Sequence, residues 1–146
     1  NPKALNIESI HSPLGFCRLD KPGELLGISV LAQKTVTLFS GIGDPDSFEA
    51  LIRNLGVQIG LSFRFRDHHN YSKEDLDKII KGSKDKNIDT IITTEKDAVR
   101  LGSLQLTCLA GRQATYSLQL LYLRIELKII KDEQEFYNRL LGLYSP

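Results

Sequence analysis

From Thr35 onward the sequence alternates between the hydrophobic period of a strand and that of a helix, and nothing else in it narrows the fold so far. Thr35-Val36-Thr37-Leu38-Phe39 is a β-branched and aromatic run that predicts a strand. Ser40-Gly41-Ile42-Gly43 breaks it. Asp44-Pro45-Asp46 then offers a capping carboxylate with proline at a first helical position. Phe48, Leu51, Ile52 and Leu55 follow at helical spacing, and Gly56 ends that helix. Val57–Phe65 alternates apolar and polar residues as a second strand. Ser72 is the expected cap of a second helix, with Glu74 and Asp75 favouring its positive end and Leu76, Ile79 and Ile80 as its apolar stripe. Ile88–Thr93 predicts a third strand, and Thr94 caps a short helix over Glu95–Leu101, with Asp97 in the capping-box position. Gln105–Leu109 reads as a fourth strand, Gly111–Ser117 as a loop and Leu118–Ile130 as a long bent strand. Asp132 is expected to cap a last helix whose Phe136, Leu140 and Leu143 face inward.

Strand and helix in this order predict an α/β fold: a Rossmann-like sheet, at least partly parallel, with helices on both faces. Residues 1–34 are expected to be a lead-in. Pro2, Pro13 and Pro22 interrupt any long helix there, and one strand is expected near Gly15–Leu19. Residues 35–146 then form the α/β lobe. With 41% hydrophobic residues the chain can bury a core. Nineteen basic against eighteen acidic residues give no basic excess, so nucleic acid is not an expected partner. No apolar run approaches the ~20 residues of a membrane span. Cys17 and Cys108 are too few for a zinc cage or a disulfide scaffold, which fits a reducing compartment. The chain contains no methionine, so it is expected to be a piece of something longer.

In parallel α/β sheets, ligands bind off the carboxyl ends of the strands. Three strand-to-helix loops should gather there. In the first, Gly41 and Gly43 permit a sharp turn, and the amides before the helix could hold an anion or simply make the turn. The third glycine of a dinucleotide fingerprint is absent, and Asp44 and Asp46 would repel a pyrophosphate. No phosphate-cradling G-x-x-x-x-G-K-[ST] occurs anywhere. The second loop concentrates Asp67, His68, His69 and Tyr71, including two of the chain's three histidines. An imidazole can carry a proton in either direction near neutrality, and Asp and His are also metal ligands. Adjacent side chains in a loop usually point apart, so one histidine is expected to serve a site and the other not. In the third loop, Thr94 and Asp97 are explained by helix capping. Lys96, in a first turn that disfavours cations, is not. His11 and both cysteines are read as structural or surface residues.

Taken together, Phe39–Pro45, Asp67-His68-His69-Asn70-Tyr71, Glu74-Asp75-Leu76 and Thr93–Leu101 resemble, in order and spacing, the C-terminal half of the tetraacyldisaccharide 4′-kinase family. Arg124-Ile125-Glu126-Leu127 is similar to that family's final strand, whereas 102–117 fits it poorly. The resemblance implies one lobe of a lipid kinase that uses ATP and Mg2+ to phosphorylate the 4′ position of the lipid A precursor disaccharide. It implies a preceding P-loop lobe as partner, carrying the nucleotide, the metal and the contact with the cytoplasmic face of the bacterial inner membrane. By itself this stretch would be soluble, inactive and without a tightly held cofactor. Carried over by residue, it makes His68 and Asp67 the catalytic candidates, His68 acting on the sugar hydroxyl and Asp67 holding its ring. His69, Tyr71, Glu95 and Lys96 become substrate-cleft candidates, and no metal ligand is implied. Two other readings stand beside it: a metal-dependent phosphoesterase of the Asp-His-His type, with Asp44-x-Asp46 upstream, and a non-catalytic Rossmann-like binding module.

Overall fold

The computed structural model describes residues 4–21, 23–102 and 118–143. The expected strand Gln105–Leu109, the loop Gly111–Ser117, Pro22 and Cys108 lie outside the described residues. Among the described residues six strands form one sheet: β1 (Glu8–Arg18), β2 (Leu25–Leu26), β3 (Thr35–Ser40), β4 (Gln58–Arg64), β5 (Thr90–Thr94) and β6 (Gln119–Lys131). Among the described residues four α-helices accompany them: α1 (Pro45–Asn54), α2 (Lys73–Asp85), α3 (Glu95–Leu101) and α4 (Glu133–Gly142). The strand order is β2-β1-β6-β5-β3-β4. Strands β4, β3, β5 and β6 run parallel, and β2 pairs antiparallel with β1. The fold is therefore the mixed, mostly parallel α/β sheet that the alternation predicts.

Residues 14–124 form one compact unit. In it β3 and β5 are buried on both faces, as central parallel strands must be. Pleat parity shows which helix covers which face. Thr37 and Phe39 point to the side of α2, where the Ser83 and Thr37 hydroxyls pair at 2.9 Å. Gly82 of α2 lies against Leu61 and Phe63 of β4 on the same side. The alternate residues Ser62 and Arg64 turn the other way and bond Glu49 of α1. Helices thus cover both faces. The larger core cluster packs Leu76, Ile79 and Ile80 of α2 and Ala98 and Leu101 of α3 onto Phe39, Ile91 and Leu120. Burying each of these large aliphatic side chains contributes about 1.5–3 kcal/mol.

Two expectations need correction. The lead-in contains an eleven-residue strand, β1, rather than a short one near Gly15–Leu19. Pro13 lies within it and removes only one backbone donor, which a strand accommodates more readily than a helix. A side chain at position 15 would place its Cβ 2.4 Å from the Leu26 carbonyl, so glycine lets β2 approach. The second unit comprises residues 1–13 and 125–146, where Lys131 pairs with Glu8 at 3.1 Å. There α4 begins after Asp132, but Asp132 adopts a left-handed conformation (φ 57°) and makes no side-chain cap. No described residue of α4 is buried: Leu140 and Leu143 are exposed and Phe136 is half-buried, so the inward face expected of it is absent. Its sequence has helical spacing, but the described residues bring nothing to cover that stripe.

Candidate functional site

The chain runs from β3 outward to the edge strand β4, then back past β3 to β5. The strand order therefore reverses between β3 and β5, and the crevice beyond their carboxyl ends is where such sheets bind ligands. All three loops meet there, and a short set of hydrogen bonds fastens them together.

Gly41 is the hub. Its N–H donates to Asp97 Oδ2 across the reversal point (3.1 Å). Its carbonyl accepts from the His68 amide (3.1 Å) and from Arg100 Nη1 (3.0 Å). A Cβ at position 41 would lie 3.0 Å from the Tyr71 hydroxyl and 3.1 Å from the His69 Cβ, so the second loop closes over a residue with no side chain. Asp97 is fully buried. Its carboxylate accepts from Gly41, from Thr94 Oγ1 (2.7 Å) and from Arg100 Nη1 (3.1 Å). Thr94 in turn accepts the Asp97 amide as helix cap. The capping expected of Thr94 is present, but the Asp97 side chain reaches to Gly41 and Arg100 as well as to its cap.

The two histidines part company. The His68 side chain is 79% exposed on the rim, on a backbone held at φ 58° by its amide bonds to Gly41 and to Asp67 Oδ1. Its ring is bonded by Arg100, whose Nη2 lies 3.0 Å from Nδ1. Asp67 Oδ2 stands 3.8 Å from Nε2, too far for a hydrogen bond, so Asp67 fixes the backbone of His68 rather than its ring. His69 turns the other way. Its Nε2 pairs with Asp75 Oδ2 at 2.9 Å, and its ring stacks on Phe65 at 4.6 Å. Asp75 also completes the capping box with Ser72. These bonds outweigh its partial burial and hold its carboxyl below the usual range. His69 therefore anchors the start of α2. Tyr71 is buried, edge-on to Phe39. Among the described residues its hydroxyl finds no well-aligned hydrogen-bond partner, although the Asp97 carboxylate is near. Burial first, then that negative charge, push its pKa well above that of a free phenol.

The remaining candidates lie apart from this cluster's bonds. Gly43 approaches the Asp67 carboxylate. Asp44 caps α1 by accepting from Ser47 N–H at 3.0 Å, and its bonds to Ser47 lower its pKa. Glu95 faces Arg124 at 3.9 Å, and Lys96 is exposed. The sequence reading missed Arg100 as a site residue and gave Asp97 only a cap. The signal available was their i,i+3 spacing on α3, which brings an acid and a base together. It also missed the Glu49 cluster on the far side of β4. There Arg64, Ser62 and Arg53 surround a nearly buried carboxylate. The Arg64 bond above all lowers its pKa from 4.5 to about 2.

Among the described residues, the turn after β3 offers no free phosphate cradle. The Gly41 amide that would face a phosphate beyond β3 is committed to Asp97, and Asp44 occupies the start of α1. Asp46 is likewise committed, to Arg64 at 2.8 Å. Among the described residues, no three His, Cys, Asp or Glu side chains are grouped to hold a metal ion. No described helix is long and apolar enough to cross a membrane.

A mostly parallel sheet that reverses between β3 and β5, with Asp97 bonded across the reversal and a histidine standing on the rim, defines a Rossmann-like α/β unit. The profile of the tetraacyldisaccharide-1-P 4′-kinase family, LpxK, matches residues 7–145, and the chain belongs to that family. It is 30% identical over 137 residues to the tetraacyldisaccharide 4′-kinase of Syntrophus aciditrophicus, covering 94% of this chain and 34% of that one. To the same enzyme of Bdellovibrio bacteriovorus it is 39% identical over 88 residues, 60% of this chain and 26% of that one. The chain thus spans about a third or less of these relatives. A crystal structure of LpxK from Aquifex aeolicus in complex with ATP has the same fold over 90% of this chain and 35% of its own, with a TM-score of 0.53 and 21% identity.

Proposed function

We propose that this chain is the C-terminal lobe of an ATP-dependent lipid kinase that phosphorylates the 4′ hydroxyl of the tetraacyldisaccharide 1-phosphate precursor of lipid A. On this reading residues 1–34 lead into the lobe. ATP, Mg2+ and the membrane-facing surface belong to a P-loop lobe at the cytoplasmic face of the inner membrane. Phosphoryl transfer is mostly positioning and charge stabilisation. The contribution of this lobe is a histidine that reaches the sugar when the two lobes close. The observation that carries the reading is the exposed His68 ring at the strand-order reversal, its ring held by Arg100 and its backbone by Gly41 and Asp67. Family membership supplies the reaction class, and the committed Gly41 amide supports placing the nucleotide elsewhere.

In an enzyme that joins this lobe to its P-loop partner, His68→Ala should lower kcat by roughly 100-fold or more, the usual scale for a positioned acid–base or hydrogen-bonding group. The KM for ATP should change little. Unaltered lipid phosphorylation would overturn the assignment and favour a non-catalytic binding module. The 146-residue chain alone should neither hydrolyse ATP nor bind it tightly. The phosphoesterase reading finds no support in the geometry, because Asp44 and Asp46 are engaged by Ser47 and Arg64 and do not converge with His68.

A further inference from the structure

We infer that Arg100 is the positioning residue of His68, and that it sets which ring nitrogen the lobe offers to a substrate. The inference rests on the assignment of His68 as the working histidine, but its geometry stands independently. A guanidinium has donors and no acceptor and does not give up its proton in proteins. The 3.0 Å contact from Arg100 Nη2 to Nδ1 therefore makes Nδ1 the acceptor. The ring proton is then on Nε2. Arg100 cannot easily swing away, because Nη1 of the same planar fork is fastened to the Gly41 carbonyl and to buried Asp97 Oδ1. One side chain so ties the ring to the carboxyl ends of both β3 and β5.

The chemical consequence is specific. The Nδ1 lone pair is occupied, and what faces outward is an N–H. His68 is presented as a hydrogen-bond donor to a sugar or phosphate oxygen, and the hydroxyl's proton leaves to a base outside these residues. Asp67 does not set this state. It lies 3.8 Å from Nε2, and its one short contact with His68 is to the backbone amide. The arrangement divides the work: Asp67 and Gly41 hold the left-handed backbone, and Arg100 holds the ring.

The test is 15N NMR of the His68 ring nitrogens in the 146-residue chain at a pH where the ring is neutral. In the unaltered protein Nε2 should carry the proton, and Nδ1 should resonate as an unprotonated, hydrogen-bonded nitrogen. Arg100→Lys keeps a cation for Asp97 and Gly41 but lacks the second nitrogen that reaches the ring. It should preserve the fold and release the ring to exchange between its two neutral tautomers, so that the Nδ1 and Nε2 resonances move towards each other. Arg100→Ala should do the same if the variant folds. Asp67→Asn should leave the ring resonances in place. A protonated Nδ1 in the unaltered chain would refute the inference, as would ring resonances that move with Asp67→Asn and not with Arg100→Lys. None of these readouts depends on kinase activity, so this inference and the assignment of His68 as the working histidine can fail separately.

Discussion

Asp97→Ala is the perturbation that most directly tests whether the three loops are fastened by one buried carboxylate. The substitution keeps a good helix former in α3 and removes a side chain with no exposed surface. Three donors lose their acceptor: the Gly41 amide at 3.1 Å, Thr94 Oγ1 at 2.7 Å and Arg100 Nη1 at 3.1 Å. The Gly41 amide is a buried donor left without its partner, at about 1–3 kcal/mol. The Thr94 hydroxyl can turn elsewhere, so its loss is about 1 kcal/mol or less. Removing one member of a buried ion pair costs about 3–5 kcal/mol. Arg100 is 22% exposed and also bonds the Gly41 carbonyl, so it recovers part of its solvation and its cost falls below that range. The sum is about 3–6 kcal/mol. Urea denaturation followed by circular dichroism gives the number, the midpoint falling without a large change in slope if the lobe still unfolds cooperatively. Asp97→Asn keeps the shape and an acceptor oxygen and should lose about half as much. A loss below about 1 kcal/mol for Asp97→Ala would show that the loops are held by their own backbone and by apolar packing, and that the carboxylate is incidental.

Two further outcomes follow from groups elsewhere in the same unit. Glu49 has its pKa lowered from 4.5 to about 2, so its contribution is fully present above about pH 4.5 and is lost as the pH falls towards 2. That difference corresponds to at most about 3 kcal/mol, and because Arg64 is 46% exposed, screening reduces it to about 1–2 kcal/mol. Glu49→Gln should therefore be less stable than the unaltered chain at pH 7 and nearly equal to it near pH 2.5, measured by denaturant titration at both values. Tyr71→Phe removes a buried hydroxyl that finds no well-aligned hydrogen-bond partner among the described residues, the Asp97 carboxylate lying near it. It should leave stability unchanged or raise it by up to about 1 kcal/mol. A loss larger than that in a thermal or urea melt would show that the hydroxyl has a working partner, Asp97 being the nearest candidate.

The elements of residues 35–101 were legible because each one is declared twice, by its hydrophobic period and by its ends. Pro45 and Asp44 begin α1, Ser72 and Asp75 box the start of α2, and Thr94 caps α3. Where only one signal is present, the reading failed. The length of β1 is hidden because Pro13 interrupts a pattern that the strand tolerates, and α4 has helical spacing although no described residue of it is buried. The site was legible at the level of loops and not of bonds. Parallel strands bring loops together by topology, so a run of strand, turn and helix is enough to place Gly41, His68 and Thr94 on one edge. Which of two adjacent histidines faces outward depends on Phe65, Asp75 and the left-handed backbone at His68, and a one-dimensional pattern contains none of these. The Asp97–Gly41 bond, 56 residues apart in the chain, is likewise a product of strand order.

The riveting of the rim bears on how His68 can move. Its amide is bonded to Gly41 just after β3, its ring to Arg100 of α3, and the loop beneath it to Asp97 of the same helix. A flap of this kind has no slack with which to swing alone. If two lobes close as proposed, the imidazole would travel as the tip of a lever travels, by the distance and direction that the body behind it is turned, and substitutions at a remote pivot would change its reach as surely as substitutions beside it.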